Sequence, residues 1–582
     1  MIERPAMRSQ ILTVIGAIAA LAAAALIIVP VSIVILSALS KPSSGFIGAF
    51  TLDNLKALGS PQDVGLLVNT VIFTIGASAI AIVLATVLAW INSSTNVPFP
   101  RLMQLIPLAP LLMPPLMRDT SWIQLYSPRA GLVNLVIEHV FGIDWPVFNI
   151  FSLTGMIVDV GINMVPMAYL IVFPALKSLN RSLDEASRLS GAGTLRTLRE
   201  ITVPIIKPAM LSAFAMLALV VASAFETPVV VGEPAGVGTY MSAIYRALSG
   251  GGTPDYNLAS AQACIYFVLN AALLTWYLRA TRREHMFQTV AGRGYSRAPG
   301  YSRWRWMLVL IPLVYFVLSF GQLFVQSLLV SFLPYYTVTQ GFPFRTLSFG
   351  NYVKLFQQPH LRQAVANSVY VSGLSTIVTV AAAVVLSSIA FQTKIRGRRF
   401  VEFIGTLPLA IPPMVFSIAL LITVLITPGL NRFYGTLAPL VLVNVVHFLP
   451  FAMRIVSASM LQISPELRES AAMSGAGVTR RLATISVPLI GVAVGYAGLL
   501  VFVQSFRELA AVVLLVGPDT PLVPSVALDL YFVGEAPMVS ALNLVTVAIP
   551  AIVFGLVYGA YLLIRSLRRA IQAWRFRLSP AQ

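Results

Sequence analysis

The chain has 582 residues, 57% of them hydrophobic and only 10% charged. Soluble domains carry about 25% charged residues, so this composition excludes an ordinary soluble protein. The single cysteine, Cys264, excludes a disulfide framework and a cysteine metal cluster, and the formal charge of +18 must be read by its distribution.

An apolar run of about 20 residues crosses a hydrocarbon core of roughly 30 Å as a helix. Transmembrane strands would alternate apolar and polar over about ten residues, and these runs do not. Six spans are predicted at about 11–37, 64–91, 102–125, 153–175, 206–231 and 257–278. Six more follow at about 306–333, 364–391, 403–427, 437–460, 489–516 and 539–564. The first is long and lacks a small-residue cleavage site, so it does not read as a cleaved signal. Between the third and fourth lies YSPRAGLVNLVIEHVFGIDWPVFNI, 126–150, read as an outward cap or a short lateral helix.

With the N-terminus in the cytoplasm, most lysines and arginines fall in inward segments. Arg279, Arg282, Arg283, Arg293, Arg297, Arg303 and Arg305 share one linker. Lys394, Arg396, Arg398 and Arg399 form a second cluster, and the tail adds Arg565, Arg568, Arg569, Arg575 and Arg577. This positive-inside pattern puts both termini in the cytoplasm. Bases scattered over many short loops do not make a nucleic-acid surface, so the expected surroundings are membrane lipids, with no nucleic acid.

The halves repeat in order. FTLDNLKAL from Phe50 parallels LSFGNYVKLF from Leu347, and VNTVIFTIG from Val68 parallels ANSVYVSG from Ala366. PLAPLLMPP from Pro107 parallels PLAIPP from Pro408, and NMVPMAYLIV from Asn163 parallels HFLPFAMRIV from His447. Six spans per half give both halves the same orientation, the pattern of a parallel repeat with a path at its interface. The expected division is a first half over 1–280, a basic linker over 281–305 and a second half over 306–582.

Each half also carries one matched polar loop on the cytoplasmic side, within 176–205 and 461–488. EASRLSGAGTLRTLREITVP runs from Glu185 to Pro204, and ESAAMSGAGVTRRLATISVP from Glu469 to Pro488. Leu179, Leu183, Ala186 and Ser190 fall at helical spacing, as do Ile463, Leu467, Ser470 and Ser474. Gly191, Gly193, Gly475 and Gly477 then permit positive backbone angles. The expectation is a helix, an elbow and a second short helix leading to the next span.

The spacing of Glu185, Ala186, Gly191, Ile201 and Pro204, and of Glu469, Ser470, Gly475, Ile485 and Pro488, resembles the EAA loop of ABC-importer permeases. Each copy departs at one alanine position, and Val203 or Val487 stands where leucine is usual before proline. The likeness covers nearly the whole chain. It implies the type I, binding-protein-dependent permease fold, a multi-pass protein of the bacterial cytoplasmic (inner) membrane. It further implies that each loop docks on one of two ABC ATPase subunits, and that a periplasmic or lipid-anchored solute-binding protein delivers substrate. No G-x-x-x-x-G-K-[ST] loop cradles phosphate in this chain, so it is not read as an enzyme. No cofactor is expected in it, with ATP and Mg bound by the partner subunits.

Ionisable groups inside spans are costly and read as functional by default. The path candidates are Asp159, Asn163, Glu226, His447, Arg507 and Glu508. Glu226 and Glu508 take nearly equivalent places late in the fifth and eleventh spans. With only His139, His285, His360 and His447, no histidine cluster has metal spacing. APLLMPPLMRDTSWIQLYSPRAGLVNL from Ala109, with Phe225-Glu226 and Arg507-Glu508-Leu509, resembles the ferric-iron uptake branch. That likeness implies ferric iron as cargo. Similar fused permeases serve thiamine, 2-aminoethylphosphonate and other small solutes. An ion-coupled secondary transporter also has repeated halves, but would not need two matched cytoplasmic elbows.

Overall fold

The computed structural model describes residues 21, 24–41, 46–143, 145–179, 187, 189–250, 253–284, 305–336, 346–392, 397–474 and 478–578. Among these, seven helices are long and apolar enough to cross a membrane: Pro61–Ser94, Leu198–Ala222, Tyr256–Thr281, Arg305–Ser331, Pro359–Phe391, Leu437–Leu461 and Ala536–Leu563. Three bent pairs raise the number to ten: Leu153–Asn163 with Val165–Lys177, Arg398–Ala410 with Pro413–Ile426, and Leu482–Leu489 with Gly491–Arg507. The protein is an all-helical multi-pass membrane protein.

Two of the twelve expected spans take another form. The first is described as a helix only over Ala24–Ala38. The span at 102–125 is divided into Pro100–Leu105, a 3-10 segment Ile106–Leu112 and the helix Pro115–Tyr126. Proline is the cause. Pro107, Pro110, Pro114 and Pro115 lack amide protons and clash with the preceding turn. Pro412 and Pro413 act likewise in the second half, where the two arms meet at 103°. The linker expected over 281–305 lies mostly outside the described residues.

Helices in lipid associate through small residues that let backbones approach. Ala77, Ala81, Ala85 and Ala89 form such a stripe on Pro61–Ser94, all fully buried, and this helix packs on Leu153–Asn163 and Val165–Lys177. At Gly161 a Cβ would come within 2.8 Å of the Ile80 side chain and 3.2 Å of the Ala77 carbonyl. Ala364, Ser368, Ser372, Ser375, Thr379, Ala383 and Ser387 make the corresponding stripe on Pro359–Gln392, which packs on Leu437–Leu461.

Sequence-matched residues make matched hydrogen bonds. Asn54 Nδ2 donates to the carbonyls of Ala38 and Ser40 at 3.0 and 2.8 Å. Asn351 Nδ2 donates to those of Ser331 and Leu333 at 2.9 and 2.7 Å. Asn69 donates to the Gly238 carbonyl at 3.0 Å, and Asn367 to that of Pro521 at 3.1 Å. Thr70 Oγ1 accepts from Tyr240 N, and Ser368 Oγ from Val523 N. These asparagines and hydroxyls satisfy backbone groups at helix ends that have no partner of their own. Asn69 with Thr70, and Asn367 with Ser368, fasten each long helix to the short helix that follows the fifth or eleventh span.

Side chains also cross between the sequence halves. Tyr315 on the first helix after the linker donates to the Ile162 carbonyl at 3.3 Å, and Tyr126 donates to Gln322 Oε1 at 2.9 Å. Tyr531 reaches the Val230 carbonyl at 2.9 Å. Val31, Val34 and Ile35 of Ala24–Ala38 share an apolar cavity of about 360 Å³ with Val415 and Ala419.

Candidate functional site

In the first polar loop, Glu185 and Ala186 lie outside the described residues, as do Gly475 and Gly477 in the second. Gly191 has φ +78°, a left-handed conformation that side chains with a Cβ strain to adopt. Around it, Ala192 N donates to the Ser187 carbonyl at 3.1 Å, and the Ser187 and Thr197 hydroxyls meet at 2.7 Å. Gly193 follows, its carbonyl accepting from Thr197 N at 3.0 Å. In the second copy the helix Pro465–Met473 carries Glu469 and Ser470, both exposed.

Short helices Thr194–Thr197 and Val478–Arg481 leave the elbows. Each widens into one π turn, Leu198–Thr202 or Leu482–Ser486, just before Pro204 or Pro488. A proline cannot donate to the carbonyl four residues back and its ring clashes with it, and a π turn relieves that crowding. The arm then continues into the next span, so the loop and the membrane helix are mechanically joined. In the second half this join is bent by 70°.

Sequence reasoning missed the loop tips. Leu189 and Met473 occupy the same register in the two loops, and each is 90% exposed. The signal was the repeated place of one large apolar residue two positions before Gly191 and Gly475. The two loops thus present an exposed apolar side chain at the same place.

The path candidates divide into two groups. Asp159 is fully buried and Asn163 nearly so. Arg118 Nε lies 3.2 Å from Asp159 Oδ1. The same guanidinium donates to Asp119 Oδ1 from Nε at 2.8 Å and from Nη2 at 2.6 Å. Its Nη2 also donates to Thr227 Oγ1 at 2.6 Å, and Thr227 donates on to the Asp119 carboxylate. Arg118, Asp119 and Thr227 were not singled out from sequence. Their signal was two adjacent opposite charges inside an apolar span, which the same rule for intramembrane charges covers. The network ties Pro115–Tyr126, Leu153–Asn163 and the π turn Pro228–Gly232 into one body.

Glu226, His447, Arg507 and Glu508 keep part of their surface open. His447 is 21% and Glu508 17% accessible, with 4.0 Å between His447 Nε2 and Glu508 Oε2. Glu508 Oε1 accepts from Ala511 N at 3.0 Å, so the carboxylate caps the turn that ends the eleventh span. Arg507 Nη1 crosses to the first half and donates to the carbonyls of Leu111 at 2.8 Å and Met113 at 3.4 Å. Leu111 needs that donor because the residue four ahead is Pro115, which has none. Glu226 lies within electrostatic reach of Glu508, Asp119 and Arg118. Among the described residues, no three His, Cys, Asp or Glu side chains are placed to hold a metal ion.

Residues 47–284 match the family described as "Binding-protein-dependent transport system inner membrane component". The ferric transport system permease protein FbpB of Actinobacillus pleuropneumoniae is 24% identical over 438 residues, 73% of this chain and 61% of that protein. The Fe(3+)-transport system permease protein FbpB 2 of Haemophilus influenzae is 24% identical over 478 residues, 80% of this chain and 84% of that one. The chain therefore spans about six tenths of the length of the first of these relatives. A solved bacterial ABC transporter involved in the import of the acidic polysaccharide alginate aligns with 45% of this chain and 94% of its own, with TM-score 0.36 and 16% identity. The family match lies within the first half of the chain.

Proposed function

We propose that the chain is the permease component of an ATP-driven ABC importer, supplying both pore-forming halves in one polypeptide. Twelve crossings in two parallel sets of six, divided as 1–280, 281–305 and 306–582, fit the paired motifs and the matched asparagine bonds. Both termini and both polar loops face the cytoplasm. The observation that carries the reading is the duplicated loop, each copy ending in an apolar tip and joined stiffly to a span. One loop serves each of two ATPase subunits, with ATP and Mg bound by those partners. Glu185, Ala186, Gly191 and Gly193 act with Leu189 in the first loop, and Glu469, Ser470, Gly475 and Gly477 with Met473 in the second. Approach of the two loops on ATP binding moves the attached helices and changes access to the path.

Substrate arrives from a solute-binding protein on the outer side. Glu226, His447, Arg507 and Glu508 line the passage where the halves meet, whereas Asp159 and Asn163 support it from behind. Ferric iron is the proposed cargo, a reading supported by the ferric permeases among the relatives. An ion-coupled secondary transporter would leave the matched loops without a task.

The test is reconstitution in liposomes with the cognate ATPase and binding protein. Ferric-loaded binding protein should stimulate ATP hydrolysis and drive iron into the lumen. Stimulation by thiamine or 2-aminoethylphosphonate, but not by ferric iron, would overturn the cargo while leaving the importer class standing. Transport that persists without the ATPase would overturn the class itself.

A further inference from the structure

The Arg118 network holds more negative charge than positive. Asp119 and Asp159 surround one guanidinium, all three nearly or fully buried. Donors are also distributed unevenly. Nε of Arg118 has one proton, and it goes to Asp119 at 2.8 Å. Nη2 serves Asp119 and Thr227, and the Thr227 hydroxyl turns back to Asp119. Every strong donor therefore converges on Asp119.

Asp159 has the charge of Arg118 nearby but not its protons. Its Oδ1 accepts only from Asn163 Nδ2, at 3.2 Å. Its Oδ2 is buried and has no hydrogen-bond partner, and the same is true of Asn163 Oδ1 one helical turn away. An ionised carboxylate with an empty buried oxygen is among the costliest groups a protein can hold. Two carboxyl groups sharing one site rarely both ionise.

Among the described residues, the other elements packed on Leu153–Asn163 bring no further cation to Asp159, and Arg507 is engaged at the Leu111 and Met113 carbonyls. Of the other elements packed on Leu153–Asn163, the helix Pro61–Ser94 has one charged residue, Asp63, engaged by Ser60 and Gln262. Val165–Lys177 has only Lys177 at its far end, and the π turn Val317–Gly321 has none. Glu226, beside Thr227 in the chain, adds negative charge. The second half offers no copy of this cluster. On the paired Pro-Pro motifs, Arg118 and Asp119 correspond to Phe416 and Ser417, and Asp159 to Val443.

We propose that this cluster is a proton-binding site: Asp159 holds one proton at neutral pH, on the oxygen that otherwise lacks a partner, while Asp119 stays ionised against Arg118. The proton comes from water during assembly and leaves the cluster neutral. As an acid, Asp159 becomes a donor, and its acceptors are the ones the site has in excess, Asn163 Oδ1 and the Asp119 carboxyl group. The segments carrying Arg118, Asp159 and Thr227 are thereby held together as one neutral body.

Infrared difference spectroscopy of the purified full-length chain in lipid nanodiscs at pH 7 tests this. Wild type minus Asp159→Asn should retain a carboxylic-acid C=O band. Asp119→Asn should lose the same band, because one carboxylate facing one arginine ionises. Asp159→Asn, which copies the neutral acid in shape and donors, should move the melting temperature by no more than about 2 °C. Asp159→Ala, which leaves Asn163 unpaired, should lower it by more. Absence of the band, together with a clearly less stable Asp159→Asn protein, would mean that both carboxylates are ionised and would overturn the proposal. A melting temperature that rises with sodium but not with choline at fixed ionic strength, and only when Asp159 is present, would assign the site to a metal cation instead. If Asp159→Asn fails to insert, Asp159→Glu should shift the band, whereas an unshifted band would place the proton on another acid and overturn the assignment.

Discussion

Arg507 stands where a proline has removed a donor. Pro115 leaves the Leu111 carbonyl without its helical partner, and a guanidinium from the other half fills the gap at 2.8 Å. Leu111 is 40% exposed, so the bond is worth only the net value of a solvent-competing hydrogen bond, about 0.5–1.5 kcal/mol, and Arg507→Leu should lower the unfolding free energy by an amount of that order. Arg507→Lys, which keeps a charge but loses the fork, should recover part of it. Chemical denaturation in detergent measures both, and a neutral Arg507→Leu would mean that the contact contributes nothing. The loop tips give a second prediction at this scale. Leu189→Asp with Met473→Asp should leave insertion intact and reduce copurification of the ATPase at least tenfold. Unchanged copurification would remove these side chains from the docking surface. Arg118 and Asp119 were readable in principle as adjacent charges in a greasy run. Their partner Thr227 was not, because it comes from more than 100 residues away.

At the scale of the element, small residues and prolines do opposite work. Stripes of alanine and serine bring Pro61–Ser94 and Pro359–Gln392 into close contact with their neighbours, and prolines break the third and ninth spans. Gly161→Val should separate Leu153–Asn163 from Pro61–Ser94, since a Cβ there already meets Ile80 at 2.8 Å. The overpacking cost is about 1–3 kcal/mol, read as a lower melting temperature. Ile80→Ala in the same chain should restore part of the loss, and failure of that rescue would place the fault elsewhere. Hydropathy marked the apolar lengths well. It could not see that 102–125 divides into three segments, because hydropathy sums side chains and the break is a backbone event. The π turns before Pro204 and Pro488 escaped for the same reason.

At the scale of the whole molecule, orientation follows from charge and can be checked directly. In a Cys264→Ser background, Arg129→Cys should react with a membrane-impermeant maleimide on intact cells. Leu189→Cys should react only after the membrane is opened, and the reverse pattern would invert the proposed topology. Composition and apolar length were enough to read a membrane protein built of helices, and the duplicated loop and paired motifs to propose two matched cytoplasmic handles. These signals are local: apolar length, charge bias and glycine-proline spacing act on contiguous residues whatever surrounds them. Only the tertiary structure decided which intramembrane charges meet. It buried Asp159 against Arg118 and Asp119, sent Arg507 across to Leu111, and left Glu508 and His447 partly open. Those outcomes depend on how helices cross and bend, and the energy of a buried charge is set by neighbours far away in the chain.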